Sequence, residues 1–181
     1  MHNLRSESDS IDLEDFISRA DVLEAAGHTV MISDYPEYYR LVSYLSRYTD
    51  RHIGLTMGAH SLVELFKEDY YSRLQGGILE AFGRLFKHNV KLYIYPYKDT
   101  QTGTLYKVDN LRIDPKQANL YEYLKQGEHV QQLREFNEAY LPIFSPDVLK
   151  MISENQHGWE SLVPEVVAEK IKKQRLFGYK N

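Results

Sequence analysis

The sequence predicts an α/β protein: a small three-layer unit on a mostly parallel central sheet, with a helical last third. Three observations lead there. Helical apolar patterns hand over to short β-branched and aromatic runs near residues 28–33, 52–57 and 90–95. The segments between those runs are long enough for the crossovers that parallel strands require, roughly a dozen residues and usually a helix; such crossovers are nearly always right-handed. Beyond Pro96 the alternation stops and proline-marked helix starts take over.

Taken in order, residues 1–10 read as a flexible lead, and residues 11–181 as a single domain. A chain of 181 residues holds one good hydrophobic core more readily than two. Leu13, Phe16, Ile17, Ala20 and Leu23 recur at helical spacing, and Gly27 suits the end of that helix. Residues 28–33 read as a buried strand, followed by the turn Asp34-Tyr35-Pro36. Pro36 fits the first turn of a helix whose inner face is Tyr38, Leu41, Val42, Leu45 and Tyr48. Residues 52–57 form the second strand, which ends at Gly58, and residues 61–66 begin another helix. Gly76-Gly77 then opens a helix with an apolar face of Ile78, Leu79, Phe82, Leu85 and Phe86, which feeds the strand at 90–95.

Residues 98–103 are turn-like, and residues 104–108 suit an antiparallel hairpin or edge against the third strand. Asp114-Pro115 and Ser145-Pro146 each place a capping side chain before a proline at a helix start, and Pro164 opens the last helix. This helical third wraps the sheet or presents a surface to another domain, with Trp159 as its packing anchor.

Composition excludes several classes of function. Hydrophobic residues are 43% and charged residues 27%, the balance of a globular protein. No run of about 18 apolar residues suits a spanning helix, and the polar start of the chain lacks the apolar core of a secretory signal; the expectation is a cytoplasmic protein without a membrane partner. With no cysteine, disulfides, thiolate metal sites and cysteine nucleophiles are ruled out. No histidine pair has the i, i+4 spacing of a helical zinc motif, so no metal is expected and no cofactor is called for. The net charge of -4, with dispersed basic residues, argues against duplex nucleic acid as a partner. Fifteen tyrosines stand out, eight of them gathered at Tyr35 to Tyr48 and at Tyr93 to Tyr97. Such rings bury a body and keep a hydroxyl wet.

In an open parallel sheet ligands bind beyond the carboxyl ends of the strands, where strand order reverses. Three loops meet that description, after residues 33, 57 and 95. In the second, Gly58 permits close backbone approach, and His60 and Ser61 follow at a helix start that favours an anion; the same residues also make an ordinary helix cap. Gly76-Gly77 suits a phosphate cradle of backbone amides or a tight turn needing positive φ. Arg84 either pairs with Glu80 four residues back or holds a phosphate or carboxylate through two parallel bonds. Asp34 reads as an acid, base or ribose contact, or as a cap before Pro36. The ligand-binding set is therefore Asp34, Gly58, His60, Ser61, Gly76, Gly77 and Arg84, with no catalytic residue assigned.

The segments Tyr38-Tyr39-Arg40-Leu41, Tyr44-Leu45-Ser46-Arg47-Tyr48-Thr49, Ile53-Gly54-Leu55-Thr56-Met57-Gly58, Gly76-Gly77-Ile78-Leu79-Glu80-Ala81-Phe82-Gly83-Arg84-Leu85-Phe86 and Lys91-Leu92-Tyr93-Ile94-Tyr95-Pro96 resemble the C-terminal part of larger bacterial proteins. That family is labelled nicotinate-nucleotide adenylyltransferase-like, and some members are labelled outer-membrane receptors. The resemblance runs from about Phe16 to Tyr179 and takes in Tyr140-Leu141 and Ser145-Pro146-Asp147-Val148-Leu149. It implies a nucleotide or other phosphate-bearing metabolite as ligand. The chain carries no His-x-Gly-His-type motif, and residues 32–40 are only a loose echo of the Ser/Thr-rich segment with Arg that accompanies adenylyl transfer, so no catalytic residue carries over. The alternating strands are also too few for a transmembrane barrel.

Two functions compete on these grounds. The first is a domain that binds a phosphate-bearing metabolite or nucleotide at the Gly58/His60 crevice. The second is a non-catalytic module whose Tyr-rich and C-terminal helices serve self-association or interdomain contact, since tyrosine is enriched in interface cores. A hydrolase built on Asp34 and His60 is a weaker third, because no nucleophile or Gly-flanked serine accompanies them.

Overall fold

The computed structural model describes residues 13–180; the lead at 1–10 lies outside the described residues. The chain divides into two compact units. One comprises the described residues up to Ser33 together with those from Ile143 onward; the other is Asp34–Pro142.

The Asp34–Pro142 unit is the α/β one. Its elements are α2 (Tyr38–Leu45), β1 (Ile53–Gly58), α3 (Ala59–Leu65), α4 (Gly77–Leu85), β2 (Val90–Tyr95), β3 (Tyr97–Lys98), β4 (Leu105–Tyr106), α5 (Ala118–Gln126) and β5 (Val130–Gln132). β1, β2 and β5 form a parallel sheet in that order, with Ile53 opposite Val90, Met57 opposite Ile94 and Leu92 opposite Val130. β1 and β2 lie where the sequence places them, and they are parallel.

Several expectations need correction. Residues 28–33 form no strand: no strand pairs with them, and Met31 and Ile32 are 54% and 63% exposed. The helix before them takes the first of these residues for its own end. Gly27, at φ +86, donates its amide to Glu24 O at 2.9 Å, and His28 donates to Leu23 O at 3.1 Å, the paired bonds that close a helix on a left-handed glycine. The third parallel strand is instead β5, three residues long and without an apolar run to announce it. Within residues 104–108 the expected antiparallel hairpin is present, but it does not join the main sheet. Only Leu105–Tyr106 pairs, antiparallel with Tyr97–Lys98, as a separate hairpin. The Asp99 carboxylate shapes that hairpin, accepting the amides of Gln101 and Thr102 at 2.8 and 3.0 Å.

Burial is one-sided in this sheet. Val90, Leu92 and Ile94 are buried, and they share rows with Ile53, Leu55 and Met57. Against this face pack Val42 of α2, Leu62 and Leu65 of α3, Ala81, Phe82 and Leu85 of α4, and Tyr121 and Leu124 of α5, in one core. Crossovers of one hand between strands laid down in the order β1, β2, β5 put the connecting helices on a single face. The unit is therefore a helical layer on a sheet rather than the expected three layers. Two side chains leave the predicted inner faces: Leu79 is exposed because only Ile78, Ala81, Phe82 and Leu85 of α4 turn inward, and Tyr48 lies beyond the end of α2.

The other unit is helical: α1 (Leu13–Ala25), α6 (Ser145–Ser153) and α7 (Glu165–Gln174). Trp159, 1% exposed, anchors its core among Val148, Ile152, Val167, Ala168 and Ile171, as the sequence suggests. α1 packs on α7, and the short turn Leu176–Gly178 packs on α6 and α1.

Candidate functional site

Parallel pairing brings the carboxyl ends of β1 and β2 together, with Gly58 opposite Tyr95. Gly58 is exposed, and a Cβ there would meet nothing within 4 Å. His60 is exposed and Ser61 half-buried at the start of α3, a helix of only seven residues. Strand order never reverses along β1, β2 and β5, so the described sheet lacks the switch-point crevice on which the predicted site depends.

The rest of the predicted set is placed elsewhere or already occupied. Asp34 is exposed in a loop that follows no strand, and Glu37, not Asp34, precedes the first helical residue of α2. Gly77 has φ +55, the left-handed conformation of the tight-turn reading. The amide of Gly76 donates to Glu80 Oε2 at 2.8 Å, and Arg84 Nη2 donates to Glu80 Oε1 at 2.6 Å. The helix start thus has its own carboxylate where an incoming phosphate would sit. The Arg84 guanidinium also lies 6.0 Å from the centre of the Tyr39 ring, which fixes it along α4. No hydrogen bond or ion pair joins Asp34, His60, Ser61 and Arg84 to one another among the described residues.

What the sheet does present is its second face. Gly54, Thr56 and Gly58 of β1, all exposed, share rows with Lys91, Tyr93 and Tyr95 of β2, all half-buried. The Tyr93 ring lies across Gly54 so closely that a Cβ there would come within 3.0 Å of it. Its hydroxyl meets His52 Nε2 at 3.1 Å, while His52 Nδ1 meets Asn89 Oδ1 at 3.2 Å, so the ring is held on the sheet from one end. Tyr95 packs edge-on against Phe136, ring centres 6.1 Å apart. Lys91, the charged residue in these rows, pairs with Glu128 at 3.3 Å. A second aromatic surface runs along α2. Tyr35, Tyr44 and Tyr48 form a ladder with 5.2 Å between successive ring centres, capped by the Arg40 guanidinium over Tyr35.

The electrostatics of the unit are structural. Burial pushes the Tyr71 and Tyr121 hydroxyls well above the usual tyrosine range, and each donates to a backbone oxygen at 2.7 Å, Tyr71 to Leu65 and Tyr121 to Val108. Tyr38 is raised by burial as well, and Tyr44 by its hydrogen bond with Tyr48. Backbone amides of Thr102 and Gln101 hold Asp99 below the usual carboxylate range. These shifts sit at hairpins, cores and surface pairs, not at paired groups poised for proton transfer. No cluster of three or more His, Asp or Glu is placed to hold a metal among the described residues. None of their helices is long and apolar enough to cross a membrane.

Gly54, Thr56 and His52 lie outside the set of residues the sequence predicts for a site. The signal that finds the open face is the alternation in Val90–Tyr95, where Lys91, Tyr93 and Tyr95 alternate with the buried Val90, Leu92 and Ile94. Comparison with family models, with curated proteins and with solved structures gives no match.

Proposed function

We propose that the chain is a non-catalytic interaction module, and that it self-associates through the open face of its parallel sheet. The observation that carries this reading is the one-sided burial of that sheet. Parallel sheets occur almost only with both faces covered, and this one leaves Gly54, Thr56 and Gly58 exposed in a row. The chemistry of the face favours a second copy as the cover. It offers tyrosine rings pinned in place, which lose little freedom on contact. Its one cation is already paired, so two copies meet without like-charge repulsion.

Light scattering over a wide concentration range tests the proposal. The protein is expected to pass from monomer to dimer, and Thr56→Arg, which sets a charge in the centre of the face, is expected to hold it monomeric with its fold intact by circular dichroism. A strict monomer at the highest concentration, or a dimer indifferent to the substitution, sinks the reading.

A second reading keeps one observation on its side: the unobstructed Gly58 at the carboxyl edge of β1, with His60 and Ser61 beside it. Here the module binds a phosphate-bearing metabolite, in line with the resemblance to nicotinate-nucleotide adenylyltransferase-like proteins. Thermal-shift titration with nicotinate mononucleotide, NAD and ATP tests it, and a stabilisation that Gly58→Val and His60→Ala both abolish is the expected outcome. No shift at millimolar ligand removes it.

A further inference from the structure

The helical unit carries a hollow open to solvent, of about 540 Å³, a volume within the range of roughly 300–1,000 Å³ typical of small-molecule sites. Glu14, Asp15 and Arg19 of α1 line it on one side, Lys150 of α6 on another, and Arg175 and Phe177 on a third. Two of these charges are committed to each other. Arg19 holds the Asp15 carboxylate through Nε at 2.6 Å and Nη2 at 3.1 Å, and its guanidinium lies 5.7 Å from the centre of the Phe177 ring. This stacks the ring against a fixed cation and makes it a rigid wall.

Two further charges on the lining, Glu14 and Arg175, are uncommitted. Neither Glu14 nor Arg175 makes an ion pair among the described residues, although both line the same hollow. Lys150 reaches only Glu154, at 4.0 Å. The backbone that carries the cation and the ring is strained: Arg175 and Phe177 both have left-handed φ, +56 and +55, where side-chain-bearing residues are uncommon. Such strain persists where the surrounding packing enforces it, and it concentrates at ligand clamps.

We propose that the hollow binds an α-amino acid with a large apolar side chain: its carboxylate on Arg175, its ammonium on Glu14, and its side chain against Phe177 and Leu176. A free acid and a free guanidinium facing one cavity match a ligand that carries both charges. A simple anion or a simple cation engages only one of the two, whereas a zwitterion engages both.

Isothermal titration of the 181-residue protein with L-phenylalanine, 3-phenylpropionate and phenethylamine tests the assignment. L-Phenylalanine is expected to bind roughly tenfold or more tighter than either half-molecule, the worth of one charged hydrogen-bonding contact. Arg175→Asn keeps a residue tolerant of the left-handed backbone, so its melting temperature is expected to hold or rise while affinity for phenylalanine and phenylpropionate falls about tenfold and that for phenethylamine stays. Glu14→Gln is expected to weaken phenylalanine and phenethylamine and to spare phenylpropionate. No heat at millimolar phenylalanine with folded protein, phenylpropionate binding as tightly as phenylalanine, or affinities unchanged by both substitutions overturns the proposal.

Discussion

Glu80 shows how a single side chain decides between two readings of the same residues. Its carboxylate takes the free amide at the start of α4 and the guanidinium of Arg84 together, so a Gly-Gly helix start that resembles an anion cradle is closed by the helix itself. Removing a helix-start acceptor costs about 1 kcal/mol, and Glu80→Ala is expected to lower stability by that order in urea denaturation. A wild-type fold stabilised by millimolar inorganic phosphate through Gly76 would show the carboxylate to be displaceable and the closure argument wrong. The two buried tyrosines make a second residue-scale prediction. Their hydroxyls ionise in the fold only well above the ordinary 10.0 at which they ionise in the unfolded chain. Because the folded value is raised, the stabilisation is fully present below about pH 10 and is lost as pH rises toward the folded value. Tyr71→Phe with Tyr121→Phe leaves two buried carbonyls without their donors, at about 1 kcal/mol each. The double variant is therefore expected to be weaker at neutral pH, yet to lose less on going from pH 9 to pH 11. Equal alkaline slopes for variant and wild type would locate the pH dependence elsewhere.

At the scale of elements, what the sequence makes legible is what local chemistry settles. β1 and β2 carry short runs rich in aliphatic and aromatic residues that suit a strand, Asp114 caps the turn before α5 by accepting the Lys116 amide at 2.9 Å, and Gly27 ends α1 where a left-handed residue is required. What is not legible depends on partners far along the chain. Residues 28–33 have the composition of a strand but no neighbour to supply a ladder, whereas Val130–Gln132 has almost no strand character and becomes one because β2 offers a free edge. Layering is hidden for the same reason, since it follows from strand order and not from the pattern within any strand. The Gly27 cap can be tested directly. Alanine at φ +86 costs about 1–2 kcal/mol, so Gly27→Ala is expected to destabilise the helical unit by that amount and to speed amide exchange in the last turn of α1. An unchanged exchange rate at Gly27 and His28 would mean the cap bonds do not hold the helix end.

For the molecule as a whole, the decisive feature is that burial is deep on one side of the sheet and shallow on the other. Leu92 and Ile94 are fully buried, while Thr56 and Gly58 on the opposite face stay in contact with water. The candidate site was legible in part: parallel strands do bring Gly58 to a common edge with Tyr95, but the crevice fails because it needs a reversal of strand order that no local pattern encodes. The open face was legible in the alternation along Val90–Tyr95, which puts Tyr93 and Tyr95 on one side of the strand without saying that this side stays uncovered. If a second copy covers this face, folding and association are linked, because a partner that binds only the folded form stabilises it by mass action. For a dimer, each tenfold rise in concentration adds about 1.4 kcal/mol per pair of chains, or about 0.7 per chain. In a protein of this size that corresponds to a rise in melting temperature of roughly 1–3 °C. The wild-type protein is expected to show that dependence, and Thr56→Arg to melt at one temperature whatever its concentration. Concentration-independent melting of the wild type, measured across the range in which light scattering reports a dimer, would show that the copies meet through a surface that does not support the fold, and the open sheet would lose its role as the interface.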